Sequence, residues 1–471
     1  MVFSSFIFMF RFLPLMLLLY RIVPSAWKNG ILFAGSLLFY SWGEIRHLPV
    51  MLALILCNYA AGRALEKVSQ PAKRKGILAA AVVFSLSFLF YYKYMAFLAG
   101  TLQNLTGISL PALLQNKVLP LGISFYTFQT MSYTIDVYRK KVKAEKNLIN
   151  FGTYVVMFPQ LVAGPIVKYQ DVAEVLADKN RRVRMAEVEQ GVYLFIFGLA
   201  KKVLLADGIG RLWMDITGVW SGGVCVTAGI GLGQVSTGLV WLGLAAYGLQ
   251  IYFDFSGYSM MAVGLGHMLG FSFPDNFKYP YLSGSITEFW RRWHMTLSGW
   301  FLEYVYIPLG GNRRGKWITV RNLFIVWALT GVWHGAGWNF LLWGIYYFLL
   351  LAFEKRFLSR WLEKYRILPH LYTLFFVTAG WALFVGNEPG SGSLMLFSRM
   401  FVPRSGVGVI YMLCNYGILL LVCLCCCSHL PEKLFGICKK WMRSAIAVII
   451  FLLCVAYMAG TTNSPFLYFN F

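Results

Sequence analysis

The chain has 471 residues, 58% of them hydrophobic and 13% charged, with a mean hydropathy of +0.62. A soluble domain of that composition would expose far too much apolar surface, so a soluble globular protein is excluded. The net charge of +23 does not point to nucleic acid, because Lys and Arg cluster in short loops between apolar runs, as cytoplasmic loops do.

The opening MVFSSFIFMFRFLPLMLLLY lacks a basic leader and a small-residue cleavage site, and reads as a first membrane helix, not a removed signal. Apolar runs predict helices over roughly 3–22, 29–42, 48–62, 77–98 and 118–138. Basic loops at RALEKVSQPAKRK (63–75) and RKKVKAEK (139–146) separate them. Residues 148–163 are apolar but short, carry Pro159, and are followed by a third basic loop, KNRRVR. Positive loops on both sides forbid a single crossing, so this stretch is expected to enter the membrane and return. Such irregular backbone survives at depth only where protein or a water-filled cavity supplies its hydrogen bonds.

Further helices are predicted over roughly 190–207, 237–254 and 256–273. Asp136 and Asp254, near apolar runs, read as structural groups paired with Arg, Tyr or Ser. Residues 274–321 lack a clean apolar run and are dense in Arg, Trp, Tyr and Gly. Within them Ser285 and Glu288 fit a capping box, and three- and four-residue spacing puts Trp290, Trp293 and His294 on one helical face. The last predicted helices cover roughly 322–352, 370–387, 407–428 and 444–460.

Two histidines carry most of the chemical signal: Trp293-His294 in FWRRWHMTLSGW and Trp333-His334 in LTGVWHGAGWNF. A titratable ring at membrane depth is costly and by default marks a functional site, and imidazole exchanges protons near neutral pH. The plainer alternative is a helix–helix hydrogen bond. The nine cysteines form no disulfide framework. Four crowd together at 423–427 with His429 beyond, but no second ligand pair completes a metal site. They read as free thiols used as small apolar residues.

The blocks PLGISFYTFQTMSYTIDVYR, FPQLVAGPIVKYQD, FDFSGYS, FPDNFKYPYLSGSITEFWRRWH, YVYIPLGGNR and GVWHGAGWNF, in this order from about Leu119 to Trp343, with the terminal SPFLYFNF, resemble the membrane-bound O-acyltransferase (MBOAT) superfamily. Within it they are most similar to the bacterial branch of alginate O-acetylation membrane proteins. The chain departs from that branch at Leu302-Glu303, where the pattern has Arg-Asp, and at Met260, where it often has Asp.

The resemblance implies an all-α polytopic membrane protein: a ring of about 11–12 transmembrane helices with re-entrant segments around a central cavity. It implies one integral-membrane acyltransferase domain over 1–471, with N-terminal helices in 1–117, a catalytic core in 118–352 and C-terminal helices in 353–471. The implied reaction moves an acyl group, acetyl foremost, from a cytoplasmic thioester to an extracytoplasmic polysaccharide. No cofactor or metal is permanently bound, and acetyl-CoA or an acyl-carrier protein serves as donor. An SGNH-type acetyltransferase partner, a bacterial inner-membrane location and no nucleic-acid contact follow from the same resemblance. D-alanyl transfer in teichoic-acid modification is the alternative within the family, and a polysaccharide or lipid transporter the alternative outside it.

His334 matches the family's catalytic His and His294 its second motif His. A neutral imidazole suits a base that takes the acceptor hydroxyl's proton, while an indole N–H of Trp293 or Trp333, or His294 itself, suits the developing oxyanion. Arg291, Arg292, Arg313 and Arg314 are candidates to hold donor phosphates, with interfacial anchoring the competing role. Ser256, Tyr258 and Asn339 are candidate cavity-lining residues. Gly331, Gly335 and Gly337 allow close approach of backbone and substrate, or ordinary helix packing.

Overall fold

A computed structural model describes residues 1–107, 118–162, 164–221, 224–385 and 392–460; the terminal SPFLYFNF lies outside them. The chain is a polytopic helical membrane protein. Among the described residues, Ser25–Lys67, Pro71–Thr106, Val409–Cys426 and Lys440–Gly460 are helical stretches long and apolar enough to cross a bilayer. Apart from the helices there is a short antiparallel ladder, β1 (Val219–Ser221) with β2 (Val224–Thr227), in which Trp220 pairs with Cys225. Periodicity did not anticipate it, because three- and four-residue strands carry too few alternations to register.

The residues group into two compact units. The first comprises Met1–Phe195 and Tyr258–Pro274. Its helices α1 (Leu48–Lys67), α2 (Pro71–Leu89) and α3 (Ile123–Tyr138) pack together around one buried amide. Asn58 Nδ2 donates to Ser85 Oγ (3.0 Å), and Thr134 Oγ1 donates to Asn58 Oδ1 (2.7 Å). In lipid, where apolar burial gives little drive for association, such bonds hold helices together. Phe3, Phe8, Phe39 and Phe158 form an aromatic core beside them.

The stretch expected to re-enter the membrane is broken at Met157 into Leu148–Val156 and the short Phe158–Leu161, with Pro159 in the second piece. Phe151 to Val162 are buried, while Leu148 and Ile149 at its start are exposed. Lys141 and Arg182, in the basic loops on either side, are exposed. With single cysteines at these two positions in a Cys-free background, neither should react with an impermeant thiol reagent in intact cells, and both should react after permeabilisation. Labelling of only one from outside would mean that the segment crosses.

The second unit comprises Ile196–Gly257 with the described residues from Asp275 onward. Two expected helix boundaries are corrected here. Residues 237–254 and 256–273 are not separate helices, since α4 (Thr237–Met268) runs unbroken through FDFSGYS. The carboxylate within this stretch is accommodated in place. Asp254 meets the buried ammonium of Lys202 at 2.8 Å, an ion pair with Lys where Arg, Tyr or Ser was expected, and Lys202 also reaches Asp207 at 2.7 Å. A buried carboxylate is tolerated when it is paired in this way.

The second correction runs the other way. Residues 322–352 form two helices where one was expected. Helix α7 (Lys316–His334) ends at the histidine, Gly335 and Gly337 take extended backbone, and α8 (Trp338–Phe353) returns alongside. Helix propensity is lowest at these glycines, which makes leaving the helix inexpensive there. The two backbones touch: a Cβ on Gly331 would lie 2.4 Å from Phe340 O, and one on Gly344 would lie 2.4 Å from Trp327 O. Packing thus accounts for Gly331, one of the two readings the sequence left open.

Candidate active site

The site is assembled from two short helices, labelled α5 (Ile286–Arg292) and α6 (Met295–Phe301), and the α7–α8 hairpin. The start of α5 is unusually well satisfied for a seven-residue helix. Ser285 Oγ accepts from Glu288 N (3.0 Å), as the capping-box pattern predicts. The Glu288 carboxylate reaches one residue further back than expected and accepts from Gly284 N (2.8 Å). The remaining first-turn donors go to a residue 67 or more positions away: Glu354 accepts from Ile286 N (2.7 Å) and Thr287 N (2.9 Å), and also from Thr287 Oγ1. Glu354 is only 3% exposed. A carboxylate at a helix start also meets the positive end of its dipole.

At its other end α5 stops before the histidine. Trp293 is extended and His294 is left-handed (φ 45°, ψ 51°). Trp290, Trp293 and His294 therefore do not share one helical face, contrary to the spacing argument. A non-glycine residue in this conformation costs energy and persists only where its surroundings hold it. Asn276 is what holds it: its backbone carbonyl accepts from Met295 N (3.0 Å), while its Oδ1 meets His294 Nδ1 (3.0 Å), Thr296 N (3.2 Å) and Thr296 Oγ1 (2.9 Å).

His294 and His334 line one cavity of about 720 Å³. Trp290, Arg291, Thr330, Glu354 and Lys355 share its wall. Two π-helical turns, Leu302–Tyr306 and Glu354–Leu358, also contribute to the lining. Both imidazoles are nearly enclosed, at 2% and 5% exposure, within an aromatic shell. His294 meets Phe255 edge-on (4.8 Å) and Trp333 (5.9 Å), and His334 meets Trp333 (5.1 Å), Trp343 (5.0 Å) and Phe384 (5.4 Å). Edge-on packing of this kind fixes the orientation of a ring.

The other sequence candidates divide. Arg291 lines the cavity, whereas Arg292 pairs with Glu288 at 2.5 Å, and Arg313 and Arg314 lie exposed in the following turn outside the lining. Trp293 packs among Tyr252, Phe277, Phe289 and Trp381. Trp333 bridges the two histidine rings without lining the cavity. Asn339 donates to Leu383 O and Phe384 O (3.3 Å each), a helix–helix link and not a cavity wall. Ser256 is buried away from the lining, and Tyr258, in the first unit, stacks on Phe3 at 4.5 Å. Gly335 is filled by Phe340, whose ring a Cβ there would strike at 2.1 Å.

Sequence reasoning missed Asn276, Glu354 and Trp290 as members of the site. Trp290 Nε1 is buried and has no hydrogen-bond partner among the described residues. A carboxylate at the end of a long apolar run, as Glu354 is, was a visible signal. The thiols are all free among the described cysteines, and the ring of His429 packs against Tyr279 at 3.8 Å.

Comparison with known proteins agrees with this architecture. Residues 76–387 match the family model described as MBOAT, membrane-bound O-acyltransferase family. The chain is 40% identical to the probable alginate O-acetylase AlgI of Pseudomonas putida over 390 residues, covering 82% of this chain and 77% of that protein. It is 28% identical to the peptidoglycan O-acetyltransferase of Helicobacter pylori over 538 aligned positions, covering 100% and 98% respectively. The teichoic acid D-alanyltransferase of Bacillus subtilis is 28% identical over 293 residues, covering 58% of this chain and 70% of that one. The chain belongs to the membrane-bound O-acyltransferase family and is an O-acyltransferase.

Proposed function

We propose that this protein carries an acetyl group from a cytoplasmic thioester, acetyl-CoA or an acylated carrier protein, toward hydroxyls of an extracytoplasmic polysaccharide. It works in the bacterial cytoplasmic membrane, and a secreted SGNH-type acetyltransferase takes over the acyl group on the far side. The observation that carries this reading is the sharing of one cavity by His294 and His334. The higher identity and wider coverage of the alginate O-acetylase relatives favour O-acetylation over D-alanyl transfer.

Acyl transfer from a thioester to a hydroxyl needs a proton acceptor, a stabilised oxyanion and a dry meeting place for the two reactants. His334 takes the proton as the hydroxyl oxygen attacks the thioester carbonyl, and the thiol leaves with a proton. Trp290 lines the same cavity, and its indole N–H, which has no hydrogen-bond partner among the described residues, is suited to the oxyanion. Arg291 and Lys355 line the wall and suit the phosphates of the donor, the part that the four-arginine expectation assigned more widely.

The test is transfer of radiolabelled acetyl from acetyl-CoA in proteoliposomes that hold the protein and a candidate partner. A variant with all nine cysteines replaced should turn over like wild type, since no thiol takes part. Label trapped as a thioester on Cys427 or any other cysteine would overturn direct transfer, and failure to consume acetyl-CoA or an acylated carrier would remove the reading altogether.

A further inference from the structure

The contact between Asn276 and His294 defines which nitrogen of the ring carries the proton. Thr296 donates its backbone N–H to the same Asn276 side-chain atom, at 3.2 Å. A backbone N–H has no lone pair and can only donate, so that atom must be the amide oxygen, and the amide cannot be turned over. The oxygen has only acceptor capacity to offer. His294 Nδ1, 3.0 Å from it, is therefore the protonated nitrogen, and Nε2 of the neutral ring bears the lone pair. Free imidazole side chains carry no such constraint. The clamp is also rigid: Asn276 is 2% exposed, it bonds three successive residues from His294 to Thr296, and Lys278 N joins Arg292 O (2.9 Å) to lay the two segments side by side.

We infer that Asn276 is a positioning residue that holds His294 as its Nδ1–H tautomer, so that His294 meets the substrate as a hydrogen-bond acceptor toward an O–H or N–H group and not as an oxyanion donor. This rests on the acyltransferase site proposed above and assigns within it a role that the motif leaves open. A neutral ring with its proton on Nδ1 has no N–H at the other edge to give to an oxyanion. That task passes to the Trp290 indole, while the lone pair on Nε2 is the group that accepts from a substrate hydroxyl or amide.

The test combines a spectrum with a rate. In lipid-embedded protein labelled with 15N-histidine, subtraction of the His294→Gln spectrum isolates the His294 ring. We expect a protonated Nδ1 and a bare Nε2. Asn276→Ala should shift that ring toward the Nε2–H form and lower acetyl transfer about 10–100-fold, the usual cost of losing a group that orients a functional histidine. Asn276→Asp, which still accepts all three bonds, should keep the wild-type pattern and most of the rate. An Nε2–H pattern in the wild type overturns the proposal, as does a slow Asn276→Ala protein whose His294 pattern is unchanged. Should Asn276→Ala not fold, the wild-type and Asn276→Asp spectra decide alone. Full activity in His294→Gln with an Nδ1–H wild-type pattern would overturn the substrate role but leave the tautomer standing, which separates failure of the site reading from failure of the clamp.

Discussion

Replacing His334 with alanine should reduce acyl transfer by about 10²–10⁴-fold, the range for loss of a single general base, with yield and membrane insertion close to wild type. His334 ends α7 and lines the cavity. Of its aromatic neighbours, Trp343 and Phe384 also contact each other, and they meet Tyr347 and Trp381 respectively. Truncation therefore enlarges a space that already exists and does not open a void in a closed core, the costly case. Transfer is measured in proteoliposomes at saturating donor, and folding by monodispersity in detergent. Activity within about a factor of two of wild type would remove His334 from the mechanism, since a general base contributes far more than that.

Glu354→Ala should be damaging in a different way, lowering both stability and rate. The carboxylate accepts from two backbone N–H groups and one hydroxyl at the start of α5. Deleting it strands two donors, at about 1–3 kcal/mol each if they stay dry. The thermal midpoint in detergent should fall by several degrees. The rate should fall too, because the six residues from Ile286 to Arg291 place Trp290 and Arg291 on the cavity wall, and a shift of about 1 Å can cost 10²-fold. Glu354→Gln keeps one acceptor oxygen and the same length, so it should recover part of both losses. An alanine variant of unchanged midpoint and rate would show that the cap is dispensable.

The membrane class, the blocks around the two histidines and the Ser285 cap were legible in the sequence because each is a local signal: a hydropathy run, a motif, a three-residue spacing. What escaped depended on partners distant in the chain. FDFSGYS looked like a helix break until Lys202 supplied the counter-charge for Asp254. The α7–α8 hairpin was hidden inside one continuous apolar run, with only Gly335 and Gly337 to mark the turn. Asn276 and Glu354 act on residues 18 and 67 or more positions away, and nothing near them in sequence announces the partner. Of the four candidate arginines only Arg291 lines the cavity, and composition shows a basic cluster but not which guanidinium turns inward.

The amide of Asn58 has a consequence for how the chain is made. Its acceptor oxygen is met by Thr134, 76 residues later, so when α1 leaves the ribosome the group that completes it has not been synthesised. A lone Asn at bilayer depth is poorly tolerated. The nascent α1 and α2 have Ser85 as an interim partner, and the trio closes only when α3 arrives. The packing of the first two helices is thus completed from outside them, by a hydroxyl that lies 76 residues further along the chain.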